Sequence, residues 1–224
     1  MRYLALATDY DGTLATDGAV DGETVAALRR LAASGRKLIL VTGRQLNDLL
    51  RVFPEAPLFD AIVAENGAVL YSPATQKTRL LGAPPSEEFV TALHRRGVRP
   101  LWTGQVVLAT VQPNEIAVME VVRELGLDLQ VILNKGSVMV LPGSLDKATG
   151  LTAALDELSL APQSVVGVGD AENDQAFLDL CGCGVAVANA LDTVKVGAKH
   201  VARGEAGAGV RELIDWIIAG DGIG

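Results

Sequence analysis

The chain has 224 residues, and 27 acidic against 19 basic side chains leave a formal charge of −8. That balance excludes a general nucleic-acid binder, which needs cations along a phosphate backbone, but it allows binding of one small phosphate by a few local donors. With 49% hydrophobic and 21% charged residues the chain is not a disordered one. With only 4% aromatics its core must be made of Ala, Val, Leu and Ile, which suits parallel strands under helices.

The chain-order reading is strand, loop, helix, repeated. Tyr3 to Thr8 is a short apolar strand that runs into Asp9 with no cleavage site, so it is not a signal peptide. Asp21 to Ser34 has helical spacing, with Asp21 as N-cap and Gly35 as the stop. Leu38 to Val41 is a second buried strand, Gln45 to Phe53 a helix, Ala61 to Ala64 a third strand, and Ala68 to Tyr71 with Lys77 to Leu81 a hairpin. Gly82-Ala83-Pro84-Pro85 is a hinge, after which the rhythm changes. A helix over Ser86 to Arg96, strands at Trp102 and Val106 to Val111, a helix over Pro113 to Leu125 with Pro in its first turn, and strands at Leu129 to Leu133 and Val138 to Leu141 make an α-β-β-α-β-β block. Pro142-Gly143 is the return hinge. Then come a helix over Asp146 to Leu158, a strand at Val165 to Val168, a helix over Asn173 to Leu180, short strands at Gly184 to Val187 and His200 to Ala202, and a last helix over Val210 to Ile218. Asp221 to Gly224 reads as a tail. The pattern predicts an α/β protein: residues 1–82 and 146–224 form an open, doubly wound, mostly parallel sheet, and 83–145 form a small inserted α+β domain.

In such sheets ligands sit beyond the carboxyl ends of the strands. There the first strand ends in Asp9-Tyr10-Asp11-Gly12-Thr13, two carboxylates on a turn that Gly12 permits. Such a pair suits a hard divalent cation or acid–base work. The second strand ends at Thr42-Gly43, a hydroxyl and an open amide at a helix start, which is an anion site. Lys147 begins the helix after the insertion, where the helix dipole mildly disfavours a cation, and an anionic ligand is one reason for its presence. The fourth strand ends at Gly169-Asp170, followed by Glu172, Asn173 and Asp174, an acidic cluster suited to Mg²⁺.

Together and in this order, these motifs resemble those of the haloacid dehalogenase superfamily of phosphotransferases. The resemblance is carried by Asp9-Tyr10-Asp11-Gly12-Thr13-Leu14, Thr42-Gly43-Arg44, Lys147 and Gly169-Asp170-Ala171-Glu172-Asn173-Asp174, with Glu65-Asn66-Gly67-Ala68 and Val187-Ala188-Asn189-Ala190 in support. It covers essentially the whole chain, and the insertion is similar to the compact C2-type cap of subgroup IIB, as in archaeal-type phosphoglycolate phosphatases and sugar phosphatases. The resemblance implies a Rossmann-like core and a Mg²⁺-dependent phosphatase acting on a small phosphorylated metabolite through an aspartyl-phosphate. Asp9 would be the nucleophile, and Asp11 the acid and base, with a pKa raised while substrate is bound. Asp9, the Asp11 carbonyl and Asp170 would hold the metal, with Asp174 behind them. Thr42, Gly43, Lys147 and Asn173 would hold the phosphate.

A phosphosugar mutase, a non-catalytic phospho-metabolite sensor and a response-regulator receiver domain are the alternatives, and the full catalytic set favours an active enzyme. Cys181 and Cys183 read as small buried residues of a cytoplasmic protein, His94 and His200 as structural, and Asn66 and Asn189 as loop staples. Arg44 either lines the site or pairs with a carboxylate. Trp102, Asn134 and Lys135 read as packed or solvated rather than substrate-facing, and the charge of Asp146 beside Lys147 has no assigned partner. No apolar run is long enough to span a membrane, and the expected assembly is a monomer or homodimer.

Overall fold

The computed structural model describes residues 2–134 and 136–220, so Lys135 and the tail at Asp221 to Gly224 lie outside the described residues. Strand β1 (Ala5–Thr8) is buried along its whole length, which is possible only if helices cover both faces of its sheet. Helix α1 (Gly22–Ala33) follows, its Thr24 amide donating to the Asp21 side chain at 2.8 Å, and Gly35 continues the chain at φ +83°. Then come β2 (Lys37–Val41), α2 (Leu46–Val52), β3 (Ala61–Ala64), β4 (Val69–Ser72) and β5 (Lys77–Leu80). The inserted segment carries α3 (Glu87–Arg95), β6 (Trp102–Thr103), β7 (Leu108–Val111), α4 (Glu115–Glu124), β8 (Leu129–Asn134) and β9 (Ser137–Pro142). The chain returns through α5 (Lys147–Leu158), β10 (Val165–Gly169), α6 (Gln175–Leu180), β11 (Cys183–Ala186), α7 (Asp192–Gly197), β12 (His200–Val201) and α8 (Ala206–Ala219).

The main sheet has eight strands in the order β12-β11-β10-β1-β2-β3-β4-β5, parallel from β12 to β3 and antiparallel through the β3-β4-β5 hairpins. The chain winds one way from β1 and the other way from β10, so these neighbours form the switch point where a crevice opens. Their register pairs Thr8 with Val168, which sets Asp9 beside the end of β10. Cys181 and Cys183 are buried in the main core, Cys183 as the first residue of β11, and burial pushes the Cys181 thiol up to about 12, which leaves it a packing residue.

The second sheet is antiparallel, in the order β6-β7-β9-β8. Alternation along its strands divides the residues between two faces. Leu108, Val138 and Val140 pack on Phe89 and Leu93 of α3 and Val118 and Val121 of α4. The opposite face carries a cross-strand row, Trp102–Ala109–Met139, turned toward the main sheet's strand ends.

Several expectations need correction. Pro113 does not start α4: its peptide bond to Gln112 is cis, Asn114 is the N-cap, and the helix begins at Glu115. Val106 and Val107 belong to the turn before β7 rather than to the strand. Helix α8 starts at Ala206, four residues before Val210, and its Gly207 and Gly209 lie against neighbouring backbone or side chains where a Cβ would clash. Helix α7 was not foreseen, since its six residues carry too short an apolar pattern. No helix among the described residues is long and apolar enough to cross a membrane.

Candidate active site

The strand ends bring the expected carboxylates and lysine together. Asp9 leaves β1 with its amide donating to the Val168 carbonyl at 3.0 Å, which fixes its side chain over the switch point. Lys147, the first residue of α5, donates to Asp9 Oδ1 at 2.6 Å and to Asp174 Oδ1 at 2.5 Å. All three are within 5% of full burial. The other oxygen of Asp174 accepts the amides of Asp170 and Ala171, each at 2.9 Å, and Thr13 Oγ1 donates to Asp170 at 3.0 Å. Glu172 to Asp174 form a 3₁₀ turn and α6 begins only at Gln175, so Asp174 holds this turn closed rather than sitting inside a helix. Gly169 is necessary there, since a Cβ would come within 2.7 Å of the Asp174 carboxylate.

Helix α5 reaches the site because two glycines let it approach. Gly67 has φ +98°, and a Cβ on it would lie 1.8 Å from the Asp146 carbonyl oxygen. A Cβ on Gly150 would lie 2.5 Å from the Gly67 Cα. Asp146, whose charge had no assigned partner, is the N-cap of α5. Its side chain accepts the Thr149 amide at 2.7 Å while Thr149 Oγ1 accepts the Asp146 amide at 2.8 Å, a reciprocal capping box.

Asp9, Asp170 and Asp174 offer carboxylate oxygens within 4.8 Å of one another. Burial raises the pKa of Asp9, the neighbouring Asp174 and Asp170 charges add to that, and Lys147 opposes it. Burial alone would lower the pKa of Lys147, but Asp174 and Asp9 together reverse this and hold its proton more tightly. Three buried carboxylates around one ammonium are an excess of negative charge made of hard oxygen donors, and the set fits a divalent cation.

Thr42 and Gly43 do not open a helix: α2 starts at Leu46 with Gln45 as its N-cap, and residues 42–44 form a loop. Thr42 Oγ1 accepts the Arg44 amide at 3.1 Å, and Gly43 leaves room for Asn66, whose Oδ1 would lie 3.1 Å from an added Cβ. Asn66 Oδ1 in turn accepts Asn173 Nδ2 at 3.0 Å, while Asn173 Oδ1 is buried at the cleft with no partner among the described residues. Asp11 sits at the cleft's mouth, gripped by both Arg44 Nε and a terminal nitrogen at 2.7 Å. Arg44 also bonds Asp48 at 2.8 Å and lies over the Tyr10 ring, so it both lines the site and pairs with carboxylates. Asn189 is a staple between the Gly12 carbonyl and the Ala206 amide.

A cavity of about 610 Å³ joins these groups to the second sheet. Its floor carries Asp9, Asp11, Lys147 and Asp170, and its roof carries Trp102, Asn134, Ser137 and Met139. Trp102 and Asn134 therefore face the cleft, contrary to the packed or solvated role expected, because Trp102 pairs with Ala109 and Asn134 with Ser137, on the face opposite to the one packed on α3 and α4. Lys135 lies outside the described residues, and His94 and His200 are exposed away from the cleft. Sequence reasoning missed Asp48, Arg51 and Met139 on the cleft wall. The spacing of Arg44 and Asp48 carried the only sequence signal for these.

The family profile of haloacid dehalogenase-like hydrolases matches residues 6–96 and 129–214. A phosphoglycolate phosphatase of Haloarcula marismortui is 33% identical over 93% of this chain and 95% of its own length. One of Methanothermobacter thermautotrophicus is 30% identical over 94% and 96%. A haloacid dehalogenase-like hydrolase from Bacteroides thetaiotaomicron shares the fold at a TM-score of 0.84 and 20% identity, covering 96% of this chain and 99% of its own. The chain belongs to the haloacid dehalogenase-like hydrolase family. Within that family it is a phosphatase, a hydrolase of phosphoric monoesters.

Proposed function

We propose that this phosphatase hydrolyses a small phosphorylated metabolite, phosphoglycolate first among them, through an aspartyl-phosphate on Asp9 and with Mg²⁺ bound. The observation that carries the reading is the buried contact of Lys147 with both Asp9 and Asp174 beside Asp170. The two archaeal relatives, named phosphoglycolate phosphatases, support the substrate. Residues 1–82 and 146–224 act as the catalytic core and 83–145 as a cap that supplies the roof of the cleft. We further place the enzyme in the cytoplasm, with its two cysteines reduced.

Asp9 attacks the phosphorus in line; the bond to the ester oxygen breaks, and Asp11 gives that oxygen its proton. Asp11 then takes a proton from water, the water oxygen attacks the phosphorus, and the bond to Asp9 breaks to release phosphate. Thr42, the Gly43 amide and Asn173 hold the phosphoryl oxygens, and Lys147 neutralises charge shared between Asp9 and the phosphate. Asp9, the Asp11 carbonyl and Asp170 would hold Mg²⁺, with Asp174 orienting Lys147 and the Asp170 loop. When bound, the ion supplies positive charge beside the nucleophile and the phosphate.

Phosphate release from phosphoglycolate, measured with Mg²⁺ and after chelation, tests this. Asp9→Asn is expected to lower kcat by about 10³-fold or more while the fold survives. Undiminished turnover in that variant overturns the mechanism. Turnover of sugar phosphates in preference to phosphoglycolate overturns the substrate but leaves the mechanism standing.

A further inference from the structure

Glu65 is a buried carboxylate that the reaction above does not use, exposed to 1%. It follows β3 with φ +54°, and Asn66 beside it has φ +53°. Two consecutive side-chain-bearing residues in the left-handed region are uncommon, and surrounding contacts must hold them there. Those contacts point in two directions. The Glu65 and Asn66 amides donate to the Arg44 and Thr42 carbonyls at 3.0 Å, which ties the pair to the phosphate loop. The Glu65 carboxylate reaches the other way, into the turn between β6 and β7.

That turn presents three successive amides, Gln105, Val106 and Val107, and all three donate to Glu65 at 2.9 Å. Converging backbone amides of this kind form an anion cradle. Gly104 completes it, since an added Cβ would lie 2.6 Å from Glu65 Oε2. Val106 and Val107 are buried in the main core, not in the core of the inserted segment, so the turn is plugged into the floor domain. Buried amides without an acceptor are costly, so the turn is held there only while Glu65 accepts them. The strands leaving the turn carry Trp102 and Ala109, two members of the roof row.

We propose that Glu65 is a positioning residue that locks the inserted sheet onto the core, and so sets the distance between the phosphate site and the roof that contacts the leaving group. The same short segment holds the β6–β7 turn through Glu65, while Asn66 accepts from Asn173 and donates to Met139 of the roof at 3.1 Å, so the two halves of the cleft are aligned through adjacent residues. This rests on the reading of the inserted sheet as the roof over the substrate.

Two variants of the full-length, Mg²⁺-supplemented protein test it. Glu65→Gln replaces one accepting oxygen with a donor that faces donors, and Gly104→Ala pushes the turn off an intact Glu65. Hydrogen exchange at residues 105–107, followed by peptide mass spectrometry, is expected to quicken roughly 5- to 100-fold in both variants, with β1, β2 and β10 unchanged. KM for para-nitrophenyl phosphate is expected to rise more than kcat falls, while acetyl phosphate, which has almost no leaving group for the roof to touch, is hydrolysed with kinetics close to the parent's. Unchanged exchange in a folded Glu65→Gln overturns the proposal. So does faster exchange without a KM effect, or an equal loss of kcat on both substrates. The exchange readout needs no turnover, so failure of phosphoglycolate as substrate leaves this test intact.

Discussion

The floor of the cleft is charged, with buried Lys147 bonded to both Asp9 and Asp174, whereas its roof is neutral among the described residues and partly open, with Trp102 exposed to 50%. The floor groups stand at the ends of the buried strands β1 and β10, on the 3₁₀ turn after β10 and on the first turn of α5, and close contacts at Gly67, Gly150 and Gly169 help to place them. The roof groups stand on an antiparallel sheet that presents one face to its own helices and the other to the cleft. Charge stabilisation requires groups that do not reorganise during the reaction, and burial provides that. Leaving-group selection needs shape, which side chains on a sheet face can alter without disturbing the core. On the function proposed above, the division separates the reaction from the choice of substrate.

Breaking the floor should have the largest effect. Gly67→Ala puts a Cβ 1.8 Å from the Asp146 carbonyl oxygen at a backbone φ of +98°. Relief requires α5 to withdraw, and Lys147 withdraws with it. The expected outcome is a loss of about 3 kcal/mol or more in urea unfolding. For a displacement near one ångström, kcat should fall by about 10²-fold on every substrate. A variant with normal kcat would show that α5 is not what places the lysine.

A change in the roof should be smaller and selective. Trp102→Ala removes a large apolar surface facing the cleft and nothing that touches Asp9 or Lys147. kcat/KM should fall about tenfold for para-nitrophenyl phosphate and change by less than about twofold for acetyl phosphate. Equal losses on both substrates would mean that the roof also shapes the phosphate site, and the separation drawn above would fail.

The two regions also differ in how far the sequence reveals them. Floor residues announce themselves by residue type: Asp9, Asp11 and Asp170 are conspicuous where the apolar runs of β1 and β10 end, and Lys147 as a cation at a helix start. The doubly wound order followed from the same alternation of strands and helices, and Ala61–Ala64 is read to the residue. Roof residues carry no such signal. Which face of β7 and β9 meets the cleft depends on the other face packing against α3 and α4, and one strand's period of two fits either choice. Glu65 was visible only as part of Glu65-Asn66-Gly67. An Asn-Gly pair hints at positive φ, but the three amides it faces come from some 40 residues further along.

Asp146 gives the finest test of the comparison, because it stands next to the floor's lysine without belonging to the floor. In the sequence its charge beside Lys147 has no assigned partner. In the structure its carboxylate is occupied by the Thr149 amide, as the cap of α5. Asp146→Ala should cost about 1 kcal/mol in stability. In a chain of this length that is a fall in Tm of about 2–4 °C. Asp146→Asn should restore most of it, since the amide oxygen caps as well as a carboxylate. If the charge acts only through the cap, both variants keep KM for phosphate esters within about twofold of the parent. If instead Asp146→Asn lowers KM while Tm stays at the parent value, then the charge itself repels the anionic substrate. The floor would then extend one residue beyond the groups that touch the reacting phosphate, and the capping bond would be serving a second purpose, holding a repulsive charge at fixed distance from Lys147.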